Sequence, residues 1–330
     1  MKNQPANKKF RVIFKWVIRV FLFQLILINI SAAFHAYRIT HYYDDDRVRN
    51  LPSSNGKIFL RTWRLMVGRK FPKSQIIYYP VVPYDTVSLL TTGNKKIQGW
   101  WIPADSSIGT VILFHGLSSN KGFALTEAYE FQSMGYNTML IDFRAHGNSD
   151  GVISTLGMKE AEEVKLAYEF VKAKGEKNII LWGMSMGAVS ISRAVYEYGI
   201  APQKIILEMP FEKLQHHVRA RARVFGFPDE PFGFFVTLWI GLEQGYWAFG
   251  HKTTKYVKSI TCPVLLQWGA KDEYVLKKGT ENIFNSIKPG QKYLSVYDEA
   301  GHVSLLTADP EKWKKTVGDF LQRQSANAGL

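Results

Sequence analysis

The segment NIILWGMSMGAVS, residues 178–190, sets a hydroxyl where it can do chemistry. An apolar run, Ile179, Ile180, Leu181 and Trp182, leads into Gly183-Met184-Ser185-Met186-Gly187, and a stretch of small residues able to begin a helix follows. A serine spaced between two glycines at a strand-to-helix junction fits the G-x-S-x-G nucleophile elbow, which holds its hydroxyl out on a sharp, strained turn. Gly183 and Gly187 matter because a side chain at either position would collide with the neighbouring strand or helix. A glycine-rich turn is also an ordinary junction between a strand and a helix. The stretch becomes a catalytic device only if the rest of the chain supplies an acid, a base and an oxyanion hole.

Those groups need a scaffold, and the pattern from about residue 85 describes one. The 330 residues suffice for one large domain or two small ones, and 46% hydrophobic with 14% aromatic content is ample for a globular core. The single cysteine, Cys262, excludes an intrachain disulfide and any cysteine-based metal cluster. Residues 86–104 read as a hairpin around Gly93-Asn94. Short apolar strands follow at TVILFHG, YNTMLIDF, NIILWG, KIILEMP, CPVLLQWG and KYLSVYD, with helices between most of them, for example Met158 to Lys172 and Pro310 to Gln324. Alternating strands and helices predict an α/β fold with a mainly parallel sheet covered on both faces. The interval 211–260 breaks this rhythm. It is long and aromatic, and it reads as a helical lid insertion. There is no internal repeat.

In such sheets the active residues gather at the carboxyl ends of the strands. Those ends carry, in order, His115-Gly116-Leu117-Ser118-Ser119, then Phe143-Arg144-Ala145-His146-Gly147-Asn148-Ser149, then Ser185, then Gly269-Ala270-Lys271-Asp272, and last Glu299-Ala300-Gly301-His302. With HG, DFRAHGNS, the GMSMG elbow, GAKD and GH following one another in this order, residues 85–324 resemble the α/β-hydrolase superfamily. The likeness is to membrane-anchored serine hydrolases of the aminopeptidase and esterase group, whose triad runs Ser, Asp, His along the chain.

The resemblance implies a role for each residue. Ser185 is expected to attack an acyl carbonyl, and His302 to take its proton and return it to the leaving group. Asp272 is expected to hold the imidazole tautomer, and the backbone N–H groups of Leu117 and Met186 to form the oxyanion hole. No metal or other cofactor is implied. The acid has rivals: Glu273 is adjacent, and Glu208 ends the preceding strand, where some hydrolases place theirs. The WGAKDEYV pattern favours Asp272. Ala188 stands where a second glycine is frequent, and it is small enough for close packing to survive.

Other polar residues receive plainer readings. His115 and His146 brace turns, and His216-His217 has no acidic partner nearby in sequence, which argues against a metal site. Arg219 and Arg223 share a helical face, read as a solvated basic surface in preference to a phosphate or carboxylate contact. The apolar stretch FGFFVTLWIGL has three open readings: it lines an acyl pocket, docks on lipid or packs on the core.

Charge and hydropathy add a membrane. The formal charge is +14, of which residues 1–19 supply +6, without an acid, and the remainder +8. No nucleic-acid motif accompanies it, so anionic lipid is the better partner. Residues 20–34, VFLFQLILINISAAF, are uncharged, and with Trp16 to Ile18 they approach the roughly 20 residues that span a bilayer. The expected organisation is a basic cytoplasmic tail (1–15), a transmembrane signal anchor (16–36), a juxtamembrane linker (37–84) and the hydrolase domain (85–330) on the outer side. The competing reading is cleavage after Ser31-Ala32-Ala33. Residues 57–67 form an amphipathic pattern, with Lys57, Arg61 and Arg64 opposite Phe59, Trp63 and Met66, suited either to the membrane surface or to packing on the domain. Asp44-Asp45-Asp46 is read as a solvated patch. The expected function is cleavage of a carboxylic ester of lipidic or acyl type. The same fold serves peptidases, amidases and acyltransferases, and, from a different class, membrane-tethered binding scaffolds.

Overall fold

A computed structural model of the chain describes residues 8–49, 58–288, 290 and 292–323. Lys57 and Gln324, named above, lie outside the described residues. The main sheet has eight strands: β3 (Asp85–Leu90), β4 (Lys96–Ile102), β5 (Thr110–Phe114), β6 (Asn137–Ile141), β7 (Ile179–Met184), β8 (Lys204–Glu208), β9 (Val264–Gly269) and β10 (Lys292–Tyr297). Their spatial order is β10-β9-β8-β7-β5-β6-β4-β3. Only the β3–β4 hairpin and the β4–β6 pair are antiparallel. A second, two-stranded sheet pairs β1 (Tyr42–Tyr43) with β2 (Phe71–Pro72) in parallel.

Central strands such as TVILF and KIILE are buried at every residue, as strands covered on both faces must be. Along β5 the side chains alternate: Val111 and Leu113 enter one core, Ile112 and Phe114 the other. The first core is closed by α4 (Leu125–Ser133) through Phe131 and by α12 (Pro310–Gln322) through Trp313, Val317 and Phe320. The second is closed by α5 (Glu160–Ala173), α6 (Met186–Tyr198) and α10 (Lys277–Ser286) through residues such as Val164, Ile191 and Ile283. Helix α5 begins two residues later than the pattern suggests. Helix α12 starts where Asp309 caps it, its side chain accepting from Lys312 N–H, with Pro310 beside the cap.

The interval 211–260 holds α7 (Leu214–Val224), α8 (Phe232–Gln244) and the short α9 (Thr253–Tyr256). At the N-terminus, α1 (Lys8–Thr40) is a single 33-residue helix, long and apolar enough over Phe10–Thr40 to cross a membrane. Its carboxyl-terminal part packs on α8. Ala32 and Ala36 are fully buried there, Trp239 Nε1 donates to Asn29 Oδ1 (2.8 Å), and His35 lies edge-on to Phe227 and Phe232. Small side chains on this face of α1 let the two helices approach closely. Of the three readings left open for the apolar stretch, packing is therefore realised in part, against the N-terminal helix, while Phe234 and Leu242 stay exposed.

A short helix, α2 (Asp46–Arg49), follows β1, and Arg49 pairs with Asp44 and Asp46, tying down part of the acidic patch. Helix α3 (Ile58–Val67) buries no residue fully and lies along α1, where Ser31 Oγ donates to the Met66 carbonyl and His35 Nε2 meets the Leu65 carbonyl. The last short helix, α11 (Leu305–Ala308), is capped by the Ser304 side chain.

Candidate active site

Strand β7 ends at Met184, and α6 starts at Met186. Ser185, between them, has φ 52° and ψ −113°, a conformation that costs a non-glycine residue of order 1–3 kcal/mol. The surroundings hold it there. Ser185 N–H donates to the Glu208 carbonyl at the end of β8 (2.7 Å), and Val189 N–H donates back to the Ser185 carbonyl. A Cβ on Gly187 would stand 2.2 Å from the Phe114 carbonyl oxygen, and one on Gly183 would stand 2.7 Å from Ile191 Cδ1. Both glycines are thus required by close approach, because β5 and α6 press on the turn from either side.

His302 lies in the loop after β10, and Asp272 in the loop after β9. His302 Nε2 is 2.9 Å from Ser185 Oγ, and His302 Nδ1 is 2.6 Å from Asp272 Oδ2. A carboxylate only accepts, so Nδ1 carries the proton and Nε2 is left to accept from the serine hydroxyl. The Asp272 side chain is fully buried, and its other oxygen accepts from Tyr274 N–H (2.8 Å) and Val275 N–H (2.9 Å). Ser185 is 5% exposed, shielded from bulk water without being sealed.

The loop after β5 passes beside the elbow: a Cβ on Gly116 would touch Ser185 Cβ at 3.5 Å. Leu117 follows in this loop, and Met186 is the first residue of α6, whose N–H has no intrahelical acceptor. Among the described residues, neither backbone N–H has a protein acceptor. Both His115 and His146 hold neighbouring loops together. His115 donates to the Gly116 carbonyl and accepts from Phe143 N–H, while His146 donates to the Arg144 carbonyl and accepts from Ser118 N–H. Burial pushes them down to about 4 and about 3, so both are neutral at pH 7.

Glu208 is fully buried, but its Oε1 accepts from the indole N–H groups of Trp182 (3.0 Å) and Trp313 (2.7 Å), with no bond to His302. Burial, reinforced by the nearby Glu127 carboxyl, raises it to about 8. Glu273 likewise makes no bond to His302 among the described residues. The arginines of α7 are less solvated than the pattern suggests: Arg219 pairs with Glu230, and Arg223 with Asp229 at 2.5 Å. His216 also departs from the sequence reading. Its Nδ1 is 2.9 Å from Glu212 Oε2, a partner four residues upstream that one helical turn brings alongside.

Several residues around the site carry weak sequence signals or none. Tyr274 lies edge-on to His302, with ring centres 5.4 Å apart, and the neighbouring His217 is stacked on Phe211. Burial first, then the charges of Arg221 and His302, hold His217 far below its ordinary value. Beneath the loop after β5, Lys121 Nζ contacts Asp142 Oδ2, with both side chains fully buried. Asp142 also accepts from Lys121 N–H and Asn148 N–H. The pair clamps the β5 and β6 loops together.

Comparison with known proteins places this geometry in context. A family model described as "Serine aminopeptidase, S33" matches residues 105–228. The uncharacterized protein YqkD of Bacillus subtilis is 27% identical over 236 residues, covering 69% of this chain and 76% of its own length. The mouse (Mus musculus) lysophosphatidylserine lipase ABHD12 is 25% identical over 214 residues, covering 60% of this chain, so the chain spans about half the length of that lipase. The esterase Pf2001 of Pyrococcus furiosus is similar in structure, with a TM-score of 0.63 and 28% identity over 76% of this chain and 98% of the esterase.

Proposed function

The chain belongs to the α/β-hydrolase superfamily, and from that premise we propose that it is a serine hydrolase cleaving a carboxylic ester through an acyl-serine intermediate. The observation that carries this reading is the unbroken hydrogen-bond chain from Ser185 Oγ through His302 to Asp272, at 2.9 and 2.6 Å. As Ser185 Oγ bonds to the carbonyl carbon, its proton passes to His302 Nε2. The imidazolium so formed faces the buried Asp272 carboxylate. The carbonyl oxygen becomes an oxyanion that the Leu117 and Met186 N–H groups, free of protein acceptors, are available to bind. Collapse of the tetrahedral intermediate breaks the bond to the leaving alcohol, which takes the proton from His302. Water then attacks the acyl-serine by the same route in reverse, releasing the acid and restoring the serine.

The surroundings support a substrate class. The long apolar α1 and the apolar α8 lie together beside the catalytic domain, and this supports an ester bearing an acyl chain, taken from or near a membrane. In the proposed topology α1 is an uncleaved anchor with its N-terminus in the cytoplasm and the catalytic domain outside. Supporting the uncleaved form, Asn29, Ser31 and Ala32 contribute to packing that cleavage after Ala33 would remove. A second reading, an aminopeptidase, is favoured only by the family description, and hydrolysis of aminoacyl amides in preference to acyl esters would select it.

Labelling with a fluorophosphonate probe tests the nucleophile. The full chain in its membrane is expected to label, and Ser185→Ala and His302→Ala are expected not to. A folded wild type that stays unlabelled would overturn the assignment.

A further inference from the structure

Where α1 ends, three elements enclose a pocket of about 260 Å³ whose polar lining is almost wholly arginine: Arg38 from α1, Arg61 and Arg64 from α3, Arg69 just beyond α3, and Arg221 from α7. No Asp or Glu among the described residues lines it. Among the described residues, Arg38, Arg61, Arg69 and Arg221 have no carboxylate within ion-pair distance; Arg38 instead donates to the Tyr43 hydroxyl. The Nε atoms of Arg38 and Arg221 are buried without an acceptor. Four of these guanidinium groups, those of Arg38, Arg61, Arg69 and Arg221, share one cavity without a carboxylate, which favours an anion there, and planar guanidinium groups suit the oxygens of a phosphate.

The remaining walls say what kind of phosphate. Phe71, Phe225 and Phe227 line the same pocket, so the anion would sit against apolar surface. Between Arg19 and Arg38 the helix carries no Lys, Arg, Asp or Glu, a rise of about 28 Å at 1.5 Å per residue, close to the roughly 30 Å hydrocarbon thickness of a bilayer. Arg38 is thus the first charged group after the apolar stretch, at the end of α1 that packs on the folded domain. Beside it, α3 leaves Ile58, Phe59 and Trp63 exposed, apolar side chains suited to a membrane interface.

We propose that this pocket binds the phosphodiester headgroup of an anionic glycerophospholipid from the surrounding membrane. The lipid would join the base of the anchor to α7, which also faces the active site. Arg221 links the two places, since its guanidinium lies 6.0 Å from the centre of the Tyr274 ring, and Tyr274 packs on His302. The site does not depend on Ser185 being the nucleophile.

The test uses the full chain in neutral detergent micelles, with native mass spectrometry reading the bound lipid. Phosphatidylglycerol, phosphatidylcholine of the same chain length and inorganic phosphate are the probes. Phosphatidylglycerol is expected to bind at least tenfold more tightly than phosphatidylcholine. The double variant Arg61→Gln/Arg69→Gln is expected to lose at least tenfold of that affinity while melting at the wild-type temperature. Both residues are exposed, and the variant keeps the basic N-terminal tail, so its loss reports the pocket and not general charge. Arg38→Lys, which keeps the charge but not the fork, is expected to weaken binding by a smaller factor. Equal binding of the two lipids, or undiminished phosphatidylglycerol binding by the double variant, would overturn the proposal. So would displacement of the lipid by inorganic phosphate at low millimolar concentration, which would make the pocket a site for the free ion.

Discussion

Replacing Asp272 by asparagine tests the proposed chemistry at one atom. The Asp272 carboxylate makes three contacts: Oδ1 accepts from Tyr274 N–H and Val275 N–H, and Oδ2 accepts from His302 Nδ1–H. An asparagine in this place has no choice of orientation. Its amide NH2 cannot face two backbone donors, so its oxygen must take the Oδ1 position and its NH2 must point at His302. Nδ1 would then become the acceptor and the ring proton would move to Nε2, the atom that has to accept from Ser185 Oγ. The side chain keeps its size and the fold its packing, but the imidazole is left in the wrong tautomer. Such an inversion costs about 10⁴ in kcat, roughly 5.4 kcal/mol of barrier. The assay is hydrolysis of a short p-nitrophenyl ester, with the melting temperature as the folding control. KM should change little, because the substrate does not touch Asp272. In the same assay Glu208→Gln should lose less than tenfold, since Glu208 is bonded to two tryptophans and not to His302. A folded Asp272→Asn enzyme within tenfold of wild-type kcat would refute the reasoning.

Two stability predictions accompany it. Glu208, raised from 4.5 to about 8, stays protonated in the native state while the unfolded chain ionises, so its contribution is fully present below about pH 4.5 and is lost as pH rises towards 8. The wild type should therefore weaken across that window, with a limiting slope on the order of 1.4 kcal/mol per pH unit, and Glu208→Gln should flatten the profile in thermal unfolding at pH 5, 6.5 and 8. Lys121→Met strands the buried Asp142 carboxylate and should destabilise the fold by about 3 kcal/mol, the lower end of the range for breaking a buried pair, because two backbone N–H groups still serve Asp142. Denaturant unfolding with no loss of stability would show that the clamp is dispensable.

The parts of this molecule that could be read from the chain are those whose signal is local. The buried strands β5, β7, β8 and β9 announce themselves as apolar runs, and the β3–β4 hairpin by Gly93-Asn94. The place of Ser185, Asp272 and His302 at strand ends then follows from how parallel sheets are wound, whereas the strand order β10-β9-β8-β7-β5-β6-β4-β3 comes from the structure alone. What stayed hidden depends on contacts between distant segments. Nothing near Asn29 reveals that it will meet Trp239, and nothing near Lys121 reveals Asp142. Arginines from α1, α3 and α7 look like separate solvated charges until the fold gathers them. His216 is a different case. Glu212 is one helical turn away, and the i−4 spacing already carries that pairing in the sequence.

The seam between α1 and α8 also imposes an order on biosynthesis. Asn29 and Trp239 are 210 residues apart, so at 5–20 residues per second the ribosome takes roughly 10–40 s to make the second after the first. In the topology proposed above, α1 would stand in the bilayer for that interval with Ala32 and Ala36, the small residues that face α8, unmatched. Every strand from β3 to β8 and the whole elbow are made before α8 exists. In that topology the first helix to enter the membrane would complete its packing only after α8 is made, and its small-residue face would have to be kept from other partners until then.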